Sequence, residues 1–227
     1  MINKAMILAA GFGTRLKPIT DSIPKALVPF KNGTMISYQI DKLKSAGIKE
    51  IVVNAHHFSE QLIKYFQEND FGVKVDIIAE KEILGTGGGV LNAKSYLQSE
   101  DYFLVLNVDV FTNFNIEFLI KEYEVSKPYA LLAVQKRKTS RYLEFDSNFH
   151  LKGRVKSDVM EENYFAFNGM HIISNDIISV NYKNDYRDII DVYLEEKKSV
   201  KGYDVGESVF IDLGKTENLK RAEESGD

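Results

Sequence analysis

Cysteine is absent from the chain. That excludes a disulfide framework, a cysteine-ligated zinc site and a thiol nucleophile. Proline is scarce, and the four present are unclustered, so they mark no linker. No apolar run approaches the roughly 18 residues of a membrane span. The apolar run at residues 5–10 is too short for the core of a secretory signal, which makes the cytoplasm the expected compartment. An excess of positive charge is missing too. Lys and Arg total 29 against 33 Asp and Glu, for a net charge of −4. A general nucleic-acid binder draws its affinity from phosphate neutralisation and would be basic, so nucleic acid is not an expected partner. Repeats and low-complexity tracts are also lacking.

What remains is one domain's worth of chain: 227 residues, 44% of them hydrophobic, enough to fill a core. Residues 5–10 read as a short buried strand that runs into Gly11-Phe12-Gly13-Thr14-Arg15, with Lys25 ten residues beyond Arg15. Between residues 11 and 31 there are four cations and one acid. Glycines that bare the main chain, flanked by Arg and Lys, suit the oxygens of a triphosphate. The Walker loop needs a terminal Gly-Lys-Ser/Thr, which is missing. The dinucleotide fingerprint needs a third glycine where Leu16 stands. The loop is therefore of a third kind.

Further along, residues 50–55, 73–79 and 102–106 read as strands. Ile36, Ile40 and Leu43 fall at helical spacing before a stop at Gly47, and Ser59 is placed to cap a helix carrying Leu62, Ile63 and Phe66. A helix is expected over residues 89–97. This alternation predicts a parallel sheet with ligands beyond the carboxyl ends of its strands. After about residue 128, strands are expected at 130–134, 142–145, 149–155, 165–173 and 208–212, with helices at 186–197 and 216–224. The expected fold is a single α/β domain: a Rossmann-like mixed, mainly parallel sheet flanked by helices. Residues 1–127 are expected to form the half that carries the phosphate loop, and residues 128–227 a lid or substrate wall.

Asp109 and Asp212 each follow an apolar run, about a hundred residues apart. They read either as turn residues or as two hard ligands converging on Mg²⁺. Gly87-Gly88-Gly89 cannot serve helix propensity, since each glycine costs about 1 kcal/mol relative to Ala inside a helix. Backbone packed against a flat base or a sugar is the functional reading. His56-His57 lack a third ligand and are not read as a metal site. The cationic run at residues 136–141 reads most simply as a solvated turn, with anion contact as the lesser alternative.

Leu8-Ala9-Ala10-Gly11-x-Gly13-Thr14-Arg15-Leu16, followed by Pro24-Lys25-Ala26-Leu27-Val28-Pro29, closely resembles the signature of the sugar-1-phosphate nucleotidyltransferases. The resemblance extends from residue 3 to about 222. It implies a nucleotide loop of Leu8, Ala9, Ala10, Gly11, Gly13, Thr14 and Arg15. Arg15 would meet the β- and γ-phosphates, and Lys25 the α-phosphate and incoming sugar phosphate. Asp109 and Asp212 would be ligands of the cofactor Mg²⁺. Leu84-Gly85-Thr86-Gly87-Gly88-Gly89 resembles the segment along the base, so Gly85 and Gly88 join the nucleotide site and Glu80 reads the base edge. Asn107, Asn168 and Gly169 would line the sugar pocket. The family's Glu-Lys-Pro segment is missing, leaving Lys156 or Arg154 to replace its lysine.

The implied partners are a nucleoside triphosphate and a sugar-1-phosphate, with no membrane. The resemblance also implies a chain without the β-helix of longer relatives. The glycine run and length look most like the short N-acetylmuramate-1-phosphate uridylyltransferases, which favours UTP. The alternatives are a mannose- or heptose-1-phosphate guanylyltransferase, a choline-phosphate cytidylyltransferase and a non-catalytic nucleotide-sugar sensor.

Overall fold

The computed structural model describes residues 2–180 and 188–224. Its strands are β1 (Lys4–Leu8), β2 (Pro29–Phe30), β3 (Gly33–Thr34), β4 (Glu50–Ala55), β5 (Lys74–Ala79), β6 (Tyr102–Asn107) and β7 (Val110–Thr112), then β8 (Ala130–Gln135), β9 (Tyr142–Phe145), β10 (Leu151–Val155), β11 (Tyr164–Ser174), β12 (Val200–Asp204) and β13 (Phe210–Asp212). The helices are α1 (Met35–Ser45), α2 (Ser59–Glu68), α3 (Gly85–Asn92), α4 (Lys94–Leu97), α5 (Ile116–Ser126), α6 (Ile189–Glu196) and α7 (Thr216–Glu224).

β1 shows why the sheet forms. All five residues are buried, and successive side chains point to opposite faces. Ala5 and Ile7 join a core with Ile36 and Ile40 of α1 and Leu119 of α5. Met6 and Leu8 join a second core with Val90 of α3 and Ile190 of α6. A strand covered on both faces reads as a continuous apolar run. β1 pairs in parallel with β4 and β6, and β4 with β5. β11 then runs antiparallel to β6 and carries β8 and β9. The result is a nine-stranded mixed sheet, Rossmann-like and flanked by helices. No helix among the described residues is long and apolar enough to cross a membrane.

Several boundaries differ from expectation. Phe58, at φ 54°, occupies the cap position of α2, and Ser59 is its first helical residue. α3 begins at Gly85 rather than Gly89, so the glycine run lies inside the helix. Phe149 has φ 63° and sits in the turn before β10. The helix expected at 186–197 starts at Ile189, capped by Asp188; the expected residues 186 and 187 lie outside the described residues. β2, β3, β7, β12 and α5 have no counterpart among the expected elements. β7 pairs with β13, in a small antiparallel sheet of two strands.

Candidate active site

β1 ends at Leu8, and the loop beyond it is tied down from below. Asn54 Oδ1 of β4 accepts the Ala9 N–H at 2.8 Å. Asn54 Nδ2 donates to Glu80 Oε1 at 2.7 Å, and the Leu84 N–H reaches Oε2 at 3.4 Å. Glu80 is therefore a buried brace under the loop and α3. Burial raises its pKa, opposed by its bonds from Asn54 and Leu84. Its carboxylate is engaged and lies in neither cavity wall described below; the structure does not place it as a base reader. Gly13 has φ 65°, and a Cβ there would stand 2.9 Å from Thr20. Its carbonyl accepts from Thr20 Oγ1 and starts the turn Thr14–Leu16 that carries Arg15.

A cavity of about 210 Å³ lies beyond the strand ends, walled in part by Ala10, Gly11, Lys25, Gly85, Asn107 and Asp109. A second, of about 480 Å³, shares Leu8, Thr86 and Asn107 with it and extends to Arg137, Phe167 and Lys156. A larger open groove of about 540 Å³ runs along α1 and contains none of the expected site residues.

Four charged residues, distant in sequence, meet here as two pairs. Lys25 Nζ binds Asp109 Oδ2, with side chains only 11% and 17% exposed. Arg15 Nη1 binds Asp212 Oδ2 at 2.9 Å in a more open position. The two pairs are held together through β7 and β13: Asp212 faces Val110 across the ladder, and the Leu213 N–H donates to the Asp109 carbonyl at 2.8 Å. Burial pushes the Asp212 carboxyl up, but the Gly214 N–H bond together with Arg15 and Lys25 outweighs it and holds the pKa below the usual value. Gly214 lets this pair approach closely: a Cβ there would lie 2.5 Å from Arg15 Nη2 and 2.7 Å from Asp212 Oδ1, so a side chain would shift the ion pair.

The other expected residues divide. Gly85 and Asn107 line the nucleotide-side cavity, while Gly88 is buried inside α3. Gly169, at φ 68°, admits Asn107, whose Nδ2 would be 2.6 Å from a Cβ. Asn168 is buried and its Oδ1 accepts from Arg137 Nε at 3.2 Å, so it braces Arg137 from outside the cavity wall. Arg154 is committed to Asp188 at 2.6 Å and Asp191 at 3.5 Å. His56 packs edge-on to the Phe12 ring and bonds the Glu80 carbonyl. No group of three or more metal-ligating side chains occurs among the described residues.

Sequence reasoning missed the supports. Gln39 of α1 is buried, and its Nε2 donates to the carbonyls of Val108 at 3.1 Å and Val110 at 2.6 Å, on either side of Asp109. Three residues on, Lys42 Nζ donates to the Thr112 carbonyl. α1 side chains thus occupy the edge of β7 that β13 leaves open. Gln135, at the end of β8, likewise bonds the carbonyls of Gly206 and Ser208, both at 2.6 Å, on the approach to β13. A polar residue on the apolar stripe of α1 was the available signal for Gln39. The run at 136–141 also departs from a solvated turn. Arg137 is partly buried, stacked 4.1 Å over the Phe210 ring, and Lys136 bonds the carbonyls of Glu161, Glu162 and Tyr164.

The family described as Nucleotidyl transferase matches residues 4–225. The mannose-1-phosphate guanylyltransferase catalytic subunit beta of Danio rerio is 33% identical over 183 residues, 75% of this chain and 49% of that protein. The mannose-1-phosphate guanyltransferase of Neurospora crassa is 44% identical over 110 residues, 47% of this chain and 30% of that protein. The chain thus spans half or less of the length of these curated relatives. The crystal structure of HddC from Yersinia pseudotuberculosis superposes with a TM-score of 0.83, covering 98% of this chain and 99% of that one. At 24% identity, that match shows a shared fold.

Proposed function

Since the chain belongs to the nucleotidyl transferase family, we propose that it joins a nucleoside triphosphate to a sugar-1-phosphate, giving a nucleoside-diphosphate sugar and pyrophosphate. The observation that carries this reading is the meeting of two cation–carboxylate pairs joined through β7 and β13: Lys25 with Asp109 in the wall of a cavity that Gly11 and Gly85 help to line, and Arg15 with Asp212 in a more open position. An oxygen of the sugar phosphate attacks the α-phosphorus. The bond from that phosphorus to the bridging oxygen breaks in line, and pyrophosphate leaves with the electron pair. No protein nucleophile is required. The chain's task is to bring two anions together and stabilise the added charge. Arg15 serves the β- and γ-phosphates and the leaving group. Lys25, deeper in the cavity, serves the α-phosphate and the incoming oxygen.

Two carboxylates, Asp109 in the turn before β7 and Asp212 on the paired strand β13, offer a hard cation two protein ligands, leaving its other positions to phosphate oxygens and water. That donor set fits Mg²⁺. Asp109 and Asp212 are the residues that would hold it, and when bound it would neutralise charge on the reacting phosphates.

The named relatives favour GTP and a mannose-type acceptor over the UTP and N-acetylmuramate-1-phosphate expected from the glycine run. The test is pyrophosphate release from purified protein with Mg²⁺, each nucleoside triphosphate and a panel of sugar-1-phosphates. Release is expected chiefly with GTP and mannose- or heptose-1-phosphate. Release with UTP and N-acetylmuramate-1-phosphate would restore the uridylyl reading, and CTP with phosphocholine would move the chain to the cytidylyl branch. Silence with nucleotide binding intact would leave a sensor.

A further inference from the structure

We infer that the guanidinium of Arg137 binds the phosphate of the acceptor sugar-1-phosphate, an assignment that rests on the proposed function. Arg137 follows β8 and stands in the wall of the 480 Å³ cavity. Its Nε donates to Asn168 Oδ1 at 3.2 Å and its Nη2 to the Phe167 carbonyl at 2.9 Å, while the Phe210 ring lies 4.1 Å beneath it. All three partners are neutral. A guanidinium has five N–H donors, so most remain for another acceptor. No carboxylate among the described residues lies within ion-pairing distance of it. Withdrawal from water disfavours its charge and lowers its pKa, opposed by the more distant Asp212. A partly buried cation held in place by neutral groups is incomplete until an anion arrives.

The position selects the acceptor over the nucleotide. The Arg137 cavity joins the nucleotide-side cavity at Leu8, Thr86 and Asn107, and Arg137 lies only in the former. The alternatives are less suited. Arg154 already bonds Asp188 and Asp191. Lys156 and Arg141 are exposed at the cavity rim. Lys25 is tied to Asp109. Arg137 alone combines shelter, a fixed direction and spare donors. Its fork also suits phosphate better than an ammonium does.

The test uses the full chain and direct binding. The acceptor probe is whichever of mannose-, heptose- or N-acetylmuramate-1-phosphate the wild type binds most tightly. Calorimetry of Arg137→Met should show acceptor affinity reduced about 10- to 100-fold, the range for a lost hydrogen bond to a charged group. Affinity for the nucleoside triphosphate should stay within about twofold, which also reports that the fold is intact. Arg137→Lys should recover part of the acceptor affinity, and added guanidinium should partly rescue turnover by Arg137→Met. Unchanged acceptor affinity in Arg137→Met, with loss in Lys156→Ala, overturns the inference and assigns the phosphate to Lys156. Equal loss of nucleotide and acceptor binding also overturns it. A wild type that binds an acceptor but releases no pyrophosphate overturns the proposed function instead.

Discussion

Lys25 and Asp109 form a mostly buried pair, and breaking such a pair leaves an uncompensated charge that costs about 3–5 kcal/mol. Asp109→Asn is therefore expected to lose both turnover and stability. Lys25→Met should do the same. The double variant should regain most of the stability, measured by urea unfolding, while remaining inactive in the pyrophosphate assay. If the single variants unfold like the wild type, the pair contributes nothing structural. His171 of β11 gives a pH prediction. Both ring nitrogens are buried without a hydrogen-bond partner, and burial lowers its pKa to about 3. The folded state binds this proton less readily than the unfolded state. Stability from this source is present above pH 6.5 and is lost as pH falls toward 3, by about 1.4 kcal/mol per pH unit. His171→Phe should hold its urea midpoint between pH 6.5 and 4 while the wild type declines; parallel curves would remove the assignment. All four paired residues were legible, because glycine-rich and strand-end motifs marked them. Their mutual pairing was not, since Lys25 and Asp109 lie 84 positions apart. Glu80 and Asn168 were legible as polar residues near a site, yet both face inward, a direction that spacing does not encode.

Two helices set the site's shape. α1 satisfies the carbonyls of Val108, Val110 and Thr112, which recur at the strand period on one edge of β7, with Gln39 and Lys42, three residues apart on one helical face. Since Asp109 lies within that stretch and Asp212 is laddered to it, α1 positions both carboxylates. Gln39→Met should leave two carbonyls without donors, at about 1–3 kcal/mol each, and loosen the Asp109 turn. The expected result is a kcat at least about tenfold lower, with more Mn²⁺ needed for half-saturation in a nucleotide-dependent spin-resonance titration. A lower Tm with unchanged metal affinity would reduce Gln39 to packing. In α3 the glycine run allows close approach. A Cβ on Gly89 would meet Asn54 Nδ2 at 2.7 Å, and one on Gly87 would meet the Asp188 backbone at 3.1 Å. Gly89→Ala should therefore destabilise by about 1–3 kcal/mol, against the roughly 1 kcal/mol gained in helix propensity. A net gain in thermal unfolding would show that Asn54 and Glu80 yield freely. Periodicity revealed that these helices exist. It misplaced the start of α3 because glycines look like loop, and here helix packing against the Asn54–Glu80 pair and α6 overrides propensity.

Across the whole molecule, a parallel half and a mixed half, antiparallel except for β12 beside β8, share one sheet, and the site lies where β7 and β13 bridge the two. The parallel half was readable from uninterrupted apolar runs; the pairing of β7 with β13 was not, because three-residue strands carry too little pattern. That bridge gives the site its character. Two cations neutralise two carboxylates within it, on a chain whose net charge is −4. Nucleotide arriving without metal must draw Arg15 and Lys25 away and set its phosphates beside bare carboxylates. A metal ion arriving without nucleotide must displace the same cations and leave them unpaired. Arriving together, the two exchange partners: cations go to phosphates and carboxylates to the metal. Nucleotide and Mg²⁺ should therefore bind cooperatively and reciprocally, with a coupling of about 1–3 kcal/mol. The distinguishing variant is Asp212→Asn, which releases Arg15 and removes one repulsive charge. Its affinity for GTP in EDTA should exceed that of the wild type, while the gain on adding Mg²⁺ should shrink. Both are read by calorimetry, independent of turnover. If Asp212→Asn binds metal-free GTP more weakly, Asp212 serves to hold Arg15 ready for the phosphates, and the exchange of partners is not how the site fills.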